Sequence, residues 1–444
     1  MSTSTTEPTE ARIEDADNIL VAPSSSHDDD VVRDFFGRVL TPEELAAGAP
    51  DLTRATVYLY GDTSGTDERL LRSAARVFTV REPAGEPART PSPEPSVART
   101  PSPEPSVACT RSPDPSRDHA GDGGGPWTAV GTGRVPTRVH GAGVFYRRFF
   151  APEAGHFARI RAEHEFQTLT ESTKPGTAHR SGIYLTPVTR DGDALHFRLL
   201  RCSTNLSGPT EGFRPTDTRI VDALNREAAA VFRNHAPLNH VLAQTYHNTP
   251  ATEGRKQSKA KISSHADKTK DMPVDGIMAF CTFYDGLDGL EPLAGDPFDL
   301  GVKGVSGLTR LHFRLKDPAA AELHGATLPA QFTLTLHPGS VFLMPLSTNR
   351  LYTHEIRPSG LDAALLPTRL GYVVRCSRAE AVHQDGRTFL KRDGALVELE
   401  PPTPDGMDEL RALYAEENRT PAFVDYGDAF LFSMNTGDYR APRA

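Results

Sequence analysis

Apolar residues in this chain recur in short alternating runs rather than long helical stripes. "GIYLTPV" (182–188), "ALHFRLLRC" (194–202), "NHVLAQTYHN" (239–248), "GIMAFCTFY" (276–284), "LTRLHFRLK" (308–316), "QFTLTLHPGSVFLMPL" (331–346) and "LGYVVRCSR" (370–378) all read as strands. One segment departs from this. "DTRIVDALNREAAAVFRNH" (217–235) repeats at helical spacing, and "GVFYRRFFAPEAGHFARIRAEHEF" (143–166) predicts a strand, a turn and a helix. Many short strands parted by Gly, Pro and Asp turns, with little βαβ alternation, predict a mainly β (α+β) fold with flanking helices, an antiparallel barrel or jelly roll. Nearer the N-terminus, "VVRDFFGRVLTPEELAAG" (31–48) has helical spacing with a Thr-Pro-Glu-Glu start, and "ATVYLYGD" (55–62) alternates as a strand does.

Between these regions the pattern vanishes. Residues 82–126 are rich in Pro, Ser, Glu and Gly, and "RTPSPEPSVA" occurs there twice in tandem, at 89–98 and 99–108. Such sequence buries too little apolar surface to offset its ordering entropy and predicts a disordered linker. Thr90, Ser92, Thr100, Ser102 and Ser112 each precede a proline, so the segment is either a bare spacer or a proline-directed phosphorylation substrate. The chain therefore divides into an acidic N-terminal region with a small partly ordered module (1–81), the linker (82–126) and a main domain (127–444). The N-terminal region and linker are the expected route to protein partners.

Composition sharpens this division. Net charge is −9 over 444 residues, but the first 126 hold 22 acidic against 12 basic residues and the remainder is near neutral. No global basic field advertises nucleic acid, although a local basic face is still open. Cys109, Cys202, Cys281 and Cys376 lie far apart with no CxxC pair, which speaks against a zinc ribbon or a disulfide framework. No apolar run is long enough to span a bilayer and no secretory signal is visible at the start, so the expected location is cytoplasmic or nuclear, without membrane association.

The candidate chemistry sits in "KISSHADKTK" (261–270). His265-x-Asp267 follows a strand, and two imidazoles with one carboxylate form a face-capping ligand set for Fe(II) that leaves positions open. His354 in "TNRLYTHEIRP" is the candidate third ligand, because a Pro-Gly turn and an apolar strand lead to it; His312 and His337 read more simply as structural. Arg369 and Arg375 are six residues apart in one strand and so face the same side. Inside a barrel each needs an anion: a dicarboxylate cosubstrate is one partner, and a metal-ligating carboxylate is another.

These residues resemble the catalytic core of the AlkB-like Fe(II)- and 2-oxoglutarate-dependent dioxygenases. "LAQTY" with Gln244 and Tyr246, "SSHADK" with His265, Asp267 and Lys268, "TNRLYTHEIRP" with His354, and "RLGYVVR" with Arg369 and Arg375 fall in the order and spacing of that family's motifs, over about 235–378. The resemblance implies a double-stranded β-helix in which His265, Asp267 and His354 hold Fe(II). Gln244, Tyr246, Arg369 and Arg375 would hold 2-oxoglutarate, and O2 would be consumed. It further implies oxidative demethylation or hydroxylation, with alkylated or single-stranded nucleic acid as the first substrate class and Lys268, Thr269 and Tyr184 near the substrate. Gly371 and Gln244 stand where the family has Asn, and Thr269 stands where its demethylases often have an acid. The basic run Arg255, Lys256, Lys259, Lys261, Lys268 and Lys270 suits phosphates. For base stacking there is little: Trp127 reads as domain-edge packing, with Tyr184 and Phe213 as weaker candidates and a polar loop at Ser203, Thr204, Asn205 and Ser207. The 87 residues from Asp267 to His354 exceed the family's usual gap, and 285–304 is the expected surplus loop over the groove. The alternatives are a protein or small-molecule hydroxylase of the same superfamily, and a non-catalytic ligand-binding scaffold.

Overall fold

The computed structural model describes residues 9–48, 50–81, 126–170, 177–202, 206–318, 328–427 and 429–444. The tandem repeat with its Ser-Pro and Thr-Pro steps, Cys109, and the loop residues Ser203, Thr204 and Asn205 lie outside them.

The protein is mostly β with flanking helices. From 240 to 375, eight strands build two sheets, in chain order His240–Tyr246, Ile262–His265, Ile277–Asp285, Arg310–Leu315, Gln331–Thr335, Val341–Pro345, Tyr352–Arg357 and Thr368–Arg375; three more between the third and fourth form a small sheet of their own. A larger sheet pairs the first, eighth, third and sixth; a smaller one pairs the second, seventh, fourth and fifth. The larger sheet is widened by Thr177–Thr186 on one edge and by Gly143–Tyr146 and Thr137–Val139 on the other. Its outer face packs Val241, Ala279, Leu343 and Val374 against Ile220, Leu224 and Ala228 of the helix Pro215–Val231. Its inner face packs Phe280, Phe342 and Met344 against Leu311, Phe313 and Tyr352 of the smaller sheet. A strand covered on both faces is apolar at successive positions, which is why "GIMAFCTFY" shows no polar face.

The N-terminal region is an αβ module with its own core. Five parallel strands run in the order Arg38–Leu40, Asn18–Val21, Thr56–Tyr60, Arg76–Arg81 and Thr128–Gly131, so the last comes from beyond residue 126. Thr56–Tyr60 is buried at every position, not alternating, because apolar clusters cover both faces of this sheet. The helical run expected over 31–48 is interrupted. Gly37 approaches the Asn18 carbonyl so closely that a Cβ would lie 2.3 Å from its oxygen, and the chain forms the short helix Asp30–Arg33, a strand, and then the helix Pro42–Gly48. That second helix starts where the motif placed it: Thr41 Oγ1 accepts the Glu44 amide at 3.2 Å and Glu44 accepts the Thr41 amide at 2.9 Å. Trp127 packs on this module.

Glu227, fully buried on the Pro215–Val231 helix, ties the module to the larger sheet. It receives Arg76 at 2.8 Å, Arg134 at 3.0 Å and the Tyr146 hydroxyl at 2.8 Å. Burial pushes its pKa upward, but the two guanidinium groups outweigh that and hold it at about 2. Beyond the barrel, Ala379–Gln384, Arg387–Arg392 and Ala395–Glu398 extend a further sheet through Asp385-Gly386 and Asp393-Gly394, all four with positive φ, the signature of tight hairpin turns. The helix Pro404–Arg419 follows and closes over the open end of the two sheets. Among the described residues no helix is long and apolar enough to cross a membrane.

Candidate active site

Register across the larger sheet lines up its inner face in rows, because directly opposed residues share a side. Arg180, Tyr246, Arg369 and Tyr284 form one row; Gly182, Gln244, Gly371 and Thr282 the next; Tyr184, Leu242, Val373 and Phe280 the third. His240, Arg375 and Met278 form the fourth. This face and the HAD segment enclose a cavity of about 740 Å3. Both arginines of Thr368–Arg375 line it.

His265 ends the strand Ile262–His265 and pairs in register with His354 on Tyr352–Arg357, so the sheet itself sets the two rings side by side, centroids 4.5 Å apart. Asp267 Oδ1 lies 3.5 Å from His265 Nε2 and 3.9 Å from His354 Nε2. The three ligand atoms lie within 4.8 Å of one another. The remaining hydrogen bonds leave that side free. His265 Nδ1–H donates to the Ser263 carbonyl at 2.9 Å, leaving Nε2 as the lone-pair nitrogen. Arg375 Nε and a terminal nitrogen both donate to Asp267 Oδ2, at 2.9 and 2.6 Å, leaving Oδ1. Burial opposes the Asp267 charge, yet Arg375 and the two imidazoles hold its carboxyl well below the usual carboxylate range. Burial and His265 lower His354 to about 3, so that ring is neutral and has a lone pair to give. A divalent cation such as Fe(II) fits this donor set.

Arg369 is 4% exposed, lies over the Tyr246 ring at 3.9 Å, and its Nε has no hydrogen-bond partner. No carboxylate among the described residues pairs with it. A Cβ at Gly371 would lie 3.0 Å from the Arg369 guanidinium, so the glycine standing in place of Asn gives that guanidinium its room. Tyr246 donates to Gln244 at 3.3 Å beside it. A buried guanidinium without an anion is a site for one, and a dicarboxylate such as 2-oxoglutarate fits. Arg375 is occupied by Asp267 at the metal end.

The expected substrate residues divide. Lys268 and Tyr184 line the cavity, Lys268 over Tyr414 at 5.1 Å and Tyr184 edge-on to His240 at 5.1 Å. Thr269 does not: its hydroxyl and amide both go to Glu417, because the chain turns away from the metal set after Lys268. Phe213 packs in the core behind the sheet. The basic run is also thinner than its sequence suggests. Lys270 is buried on Asp271 at 3.3 Å and Lys259 donates to the Ser359 carbonyl at 3.0 Å, whereas Arg255, Lys256 and Lys261 stay exposed. The 285–304 segment contributes nothing to the cavity wall; it folds into the small sheet Glu291–Leu293, Asp296–Val302 and Val305–Ser306. His312 and His337 bond Thr333 and the Phe298 carbonyl and are structural.

Sequence reasoning missed the supports. Asn349 clamps the backbone of Asp267, accepting its amide at 2.8 Å and donating to its carbonyl at 2.9 Å. From the C-terminal helix, Asn418 accepts the Ala266 amide at 2.6 Å and Glu417 accepts the Thr269 amide at 3.1 Å. The loop bearing Asp267 thus has its amides satisfied from two distant segments. The only available signal was polar residues at buried positions of otherwise apolar stretches. A second cluster, Glu163, His164 and Asp217, also has metal-ligand composition. Both His164 nitrogens are taken, by Glu211 at 2.9 Å and Asp217 at 2.7 Å. Burial works against the charge, but the two carboxylates raise His164 to about 9, which makes it an imidazolium strut.

No family model matches the chain, and no curated protein matches it. Among solved structures, a Pseudomonas putida prolyl-4-hydroxylase aligns with TM-score 0.28 and 12% identity, over 53% of this chain and 91% of that one. OsALKBH1 aligns with TM-score 0.32 and 10% identity over 54% and 99%. SnoN, a non-heme alpha ketoglutarate dependent epimerase from nogalamycin biosynthesis, aligns with TM-score 0.25 and 15% identity over 57% and 88%.

Proposed function

We propose that this protein is an Fe(II)- and 2-oxoglutarate-dependent oxygenase built on a double-stranded β-helix. The fold reading is supported by strand order: with the small three-stranded insertion between the third and fourth set aside, eight strands shared between two sheets in the orders first-eighth-third-sixth and second-seventh-fourth-fifth are those of a jelly roll. One observation carries the function. A 2-His-1-carboxylate set and a buried guanidinium without a carboxylate partner, Arg369, share one cavity. Iron held this way, with 2-oxoglutarate and O2, supplies the oxidant for an unactivated C–H bond. The chain's own part is to hold and to shield. His265, Asp267 and His354 are the ligands, Arg375 keeps Asp267 Oδ1 turned toward them, and Arg369, Tyr246 and Gln244 receive the distal carboxylate of the cosubstrate.

Within this class, oxidative demethylation of alkylated nucleic acid draws support from the exposed Arg255, Lys256 and Lys261. Against it, half of the basic run is engaged inside the fold, and the aromatic rings of the cavity wall are packed on their neighbours. Hydroxylation of a small molecule is the reading the geometry supports better. Anaerobic titration with Fe(II) and then 2-oxoglutarate tests the class. A visible metal-to-ligand charge-transfer band is expected in wild type and absent in Asp267→Ala; no band despite bound iron would overturn the proposal.

A further inference from the structure

We infer that the substrate is a small organic acid, an apolar body ending in one anionic group that Arg180 receives. This rests on the oxygenase reading and adds the class of molecule oxidised. A cavity of about 740 Å3 has room for a drug-sized ligand beyond a five-carbon dicarboxylate. Its wall is electrostatically one-sided. Arg180, Lys261, Lys268, Arg369, Arg375 and Arg411 line it, and the single carboxylate there, Asp267, is already taken by Arg375.

Most of these cations are committed. Arg411 pairs with Asp408 at 2.8 Å, Lys268 sits on Tyr414, and Arg369 is placed for the cosubstrate. Arg180 is half-buried and has no hydrogen bond or ion pair among the described residues. It shares a row with Arg369 two strands away, so their backbones lie about 10 Å apart. With Arg369 placed for the cosubstrate, Arg180 gives the cavity a second anion position. Half-burying a cation without an anion costs free energy that a bound anion returns.

The wall beside Arg180 supplies the other half of the argument. Tyr184 is four residues along the same strand and faces the same side, and it packs with Leu169, Leu206 and Leu242 into an apolar strip within the cavity. From Arg180 the strip runs about 13 Å along the strand to the row of Tyr184, which neighbours the row holding Arg375, the partner of Asp267. An acid whose charge rests on Arg180 therefore lays a medium-length acyl or aryl-alkyl body along the strip, with its far end toward the metal set.

The test is calorimetric titration of the full chain loaded with Mn(II) and 2-oxoglutarate, using decanoate, decyl phosphate, neutral decanamide and a methylated single-stranded oligonucleotide. Both anions are expected to bind at least about tenfold more tightly than the amide, in keeping with one half-buried charge pair. Whichever of the two binds tighter identifies carboxylate or phosphate as the natural head group. Arg180→Ala is expected to erase the difference and Arg180→Lys to keep part of it, with Mn(II) uptake as the folding control. Equal binding of acid and amide, a preference that survives Arg180→Ala, or tight binding of the oligonucleotide alone would each overturn the inference. Failure of the wild-type chain to take up Mn(II) or 2-oxoglutarate would instead overturn the oxygenase reading, and this inference with it.

Discussion

Arg369 makes opposite demands on stability and on binding, and replacing it by Met separates the two. In the chain alone its guanidinium is 4% exposed and offset chiefly by the Tyr246 ring at 3.9 Å. A desolvated cation–π contact contributes about 2 kcal/mol, whereas an uncompensated buried charge costs several. Arg369→Met, similar in length and apolar, is therefore expected to leave the cosubstrate-free protein as stable as wild type or up to about 3 kcal/mol more stable. Binding goes the other way. Removing one partner of a buried charge pair costs about 2–5 kcal/mol, or roughly 30-fold or more in 2-oxoglutarate affinity. At a 2-oxoglutarate concentration of about 100 times the wild-type Kd, wild type gains about 2.7 kcal/mol and a variant binding 30-fold more weakly about 0.9 kcal/mol. Urea unfolding with Mn(II), with and without 2-oxoglutarate, reads both effects, and adding the cosubstrate should move the stability difference about 2 kcal/mol toward wild type. If Arg369→Met loses more than about 1 kcal/mol without cosubstrate yet keeps the 2-oxoglutarate shift, the guanidinium is a structural element and the reasoning fails.

Glu227→Gln keeps the shape of the clamp on the N-terminal module and removes its charge. The span from 4.5 to about 2 corresponds to about 3 kcal/mol, present above pH 4.5 and lost as pH falls toward 2, so the wild-type minus variant difference in unfolding free energy should close over that window; a difference below about 1 kcal/mol at pH 7 would contradict it. Asn418→Ala removes the acceptor of the Ala266 amide beside two metal ligands and should weaken Mn(II) binding about 10- to 100-fold with smaller change in 2-oxoglutarate affinity, measured by equilibrium titration; unchanged metal affinity would make the helix a mere cover. Gly371→Ala puts a Cβ 3.0 Å from the Arg369 guanidinium and should raise the 2-oxoglutarate KM while metal affinity holds, in a succinate-release assay.

The chemistry was legible along the chain because it depends on residue type and short spacing. His265-x-Asp267 and a strand-borne His354 stand out by residue type and context, and two arginines at an even interval face the same side of any strand, so singling them out required no knowledge of packing. The helix expected over 217–235, found at Pro215–Val231 before the chain turns into the strand Phe232–Arg233, and most strands of the two sheets were legible for the same reason. Where a segment was covered on both faces, as at Thr56–Tyr60, period-two reasoning failed, since burial from both sides removes the polar half of the pattern. Thr269 and Lys270 looked like substrate contacts by adjacency to Asp267, but the chain turns there and carries them to Glu417 and Asp271.

What the sequence by itself determined is therefore the candidate trio His265, Asp267 and His354, its strand context and the mostly-β class. Tertiary structure alone decided how Asn349, Glu417 and Asn418 steady the loop bearing Asp267, how Arg180 comes to stand in one row with Arg369, and how a strand from beyond residue 126 completes the N-terminal sheet. Those contacts join segments up to about 150 residues apart. Their register follows from how whole sheets and helices bury their apolar faces against one another, a global balance that no local window of sequence contains.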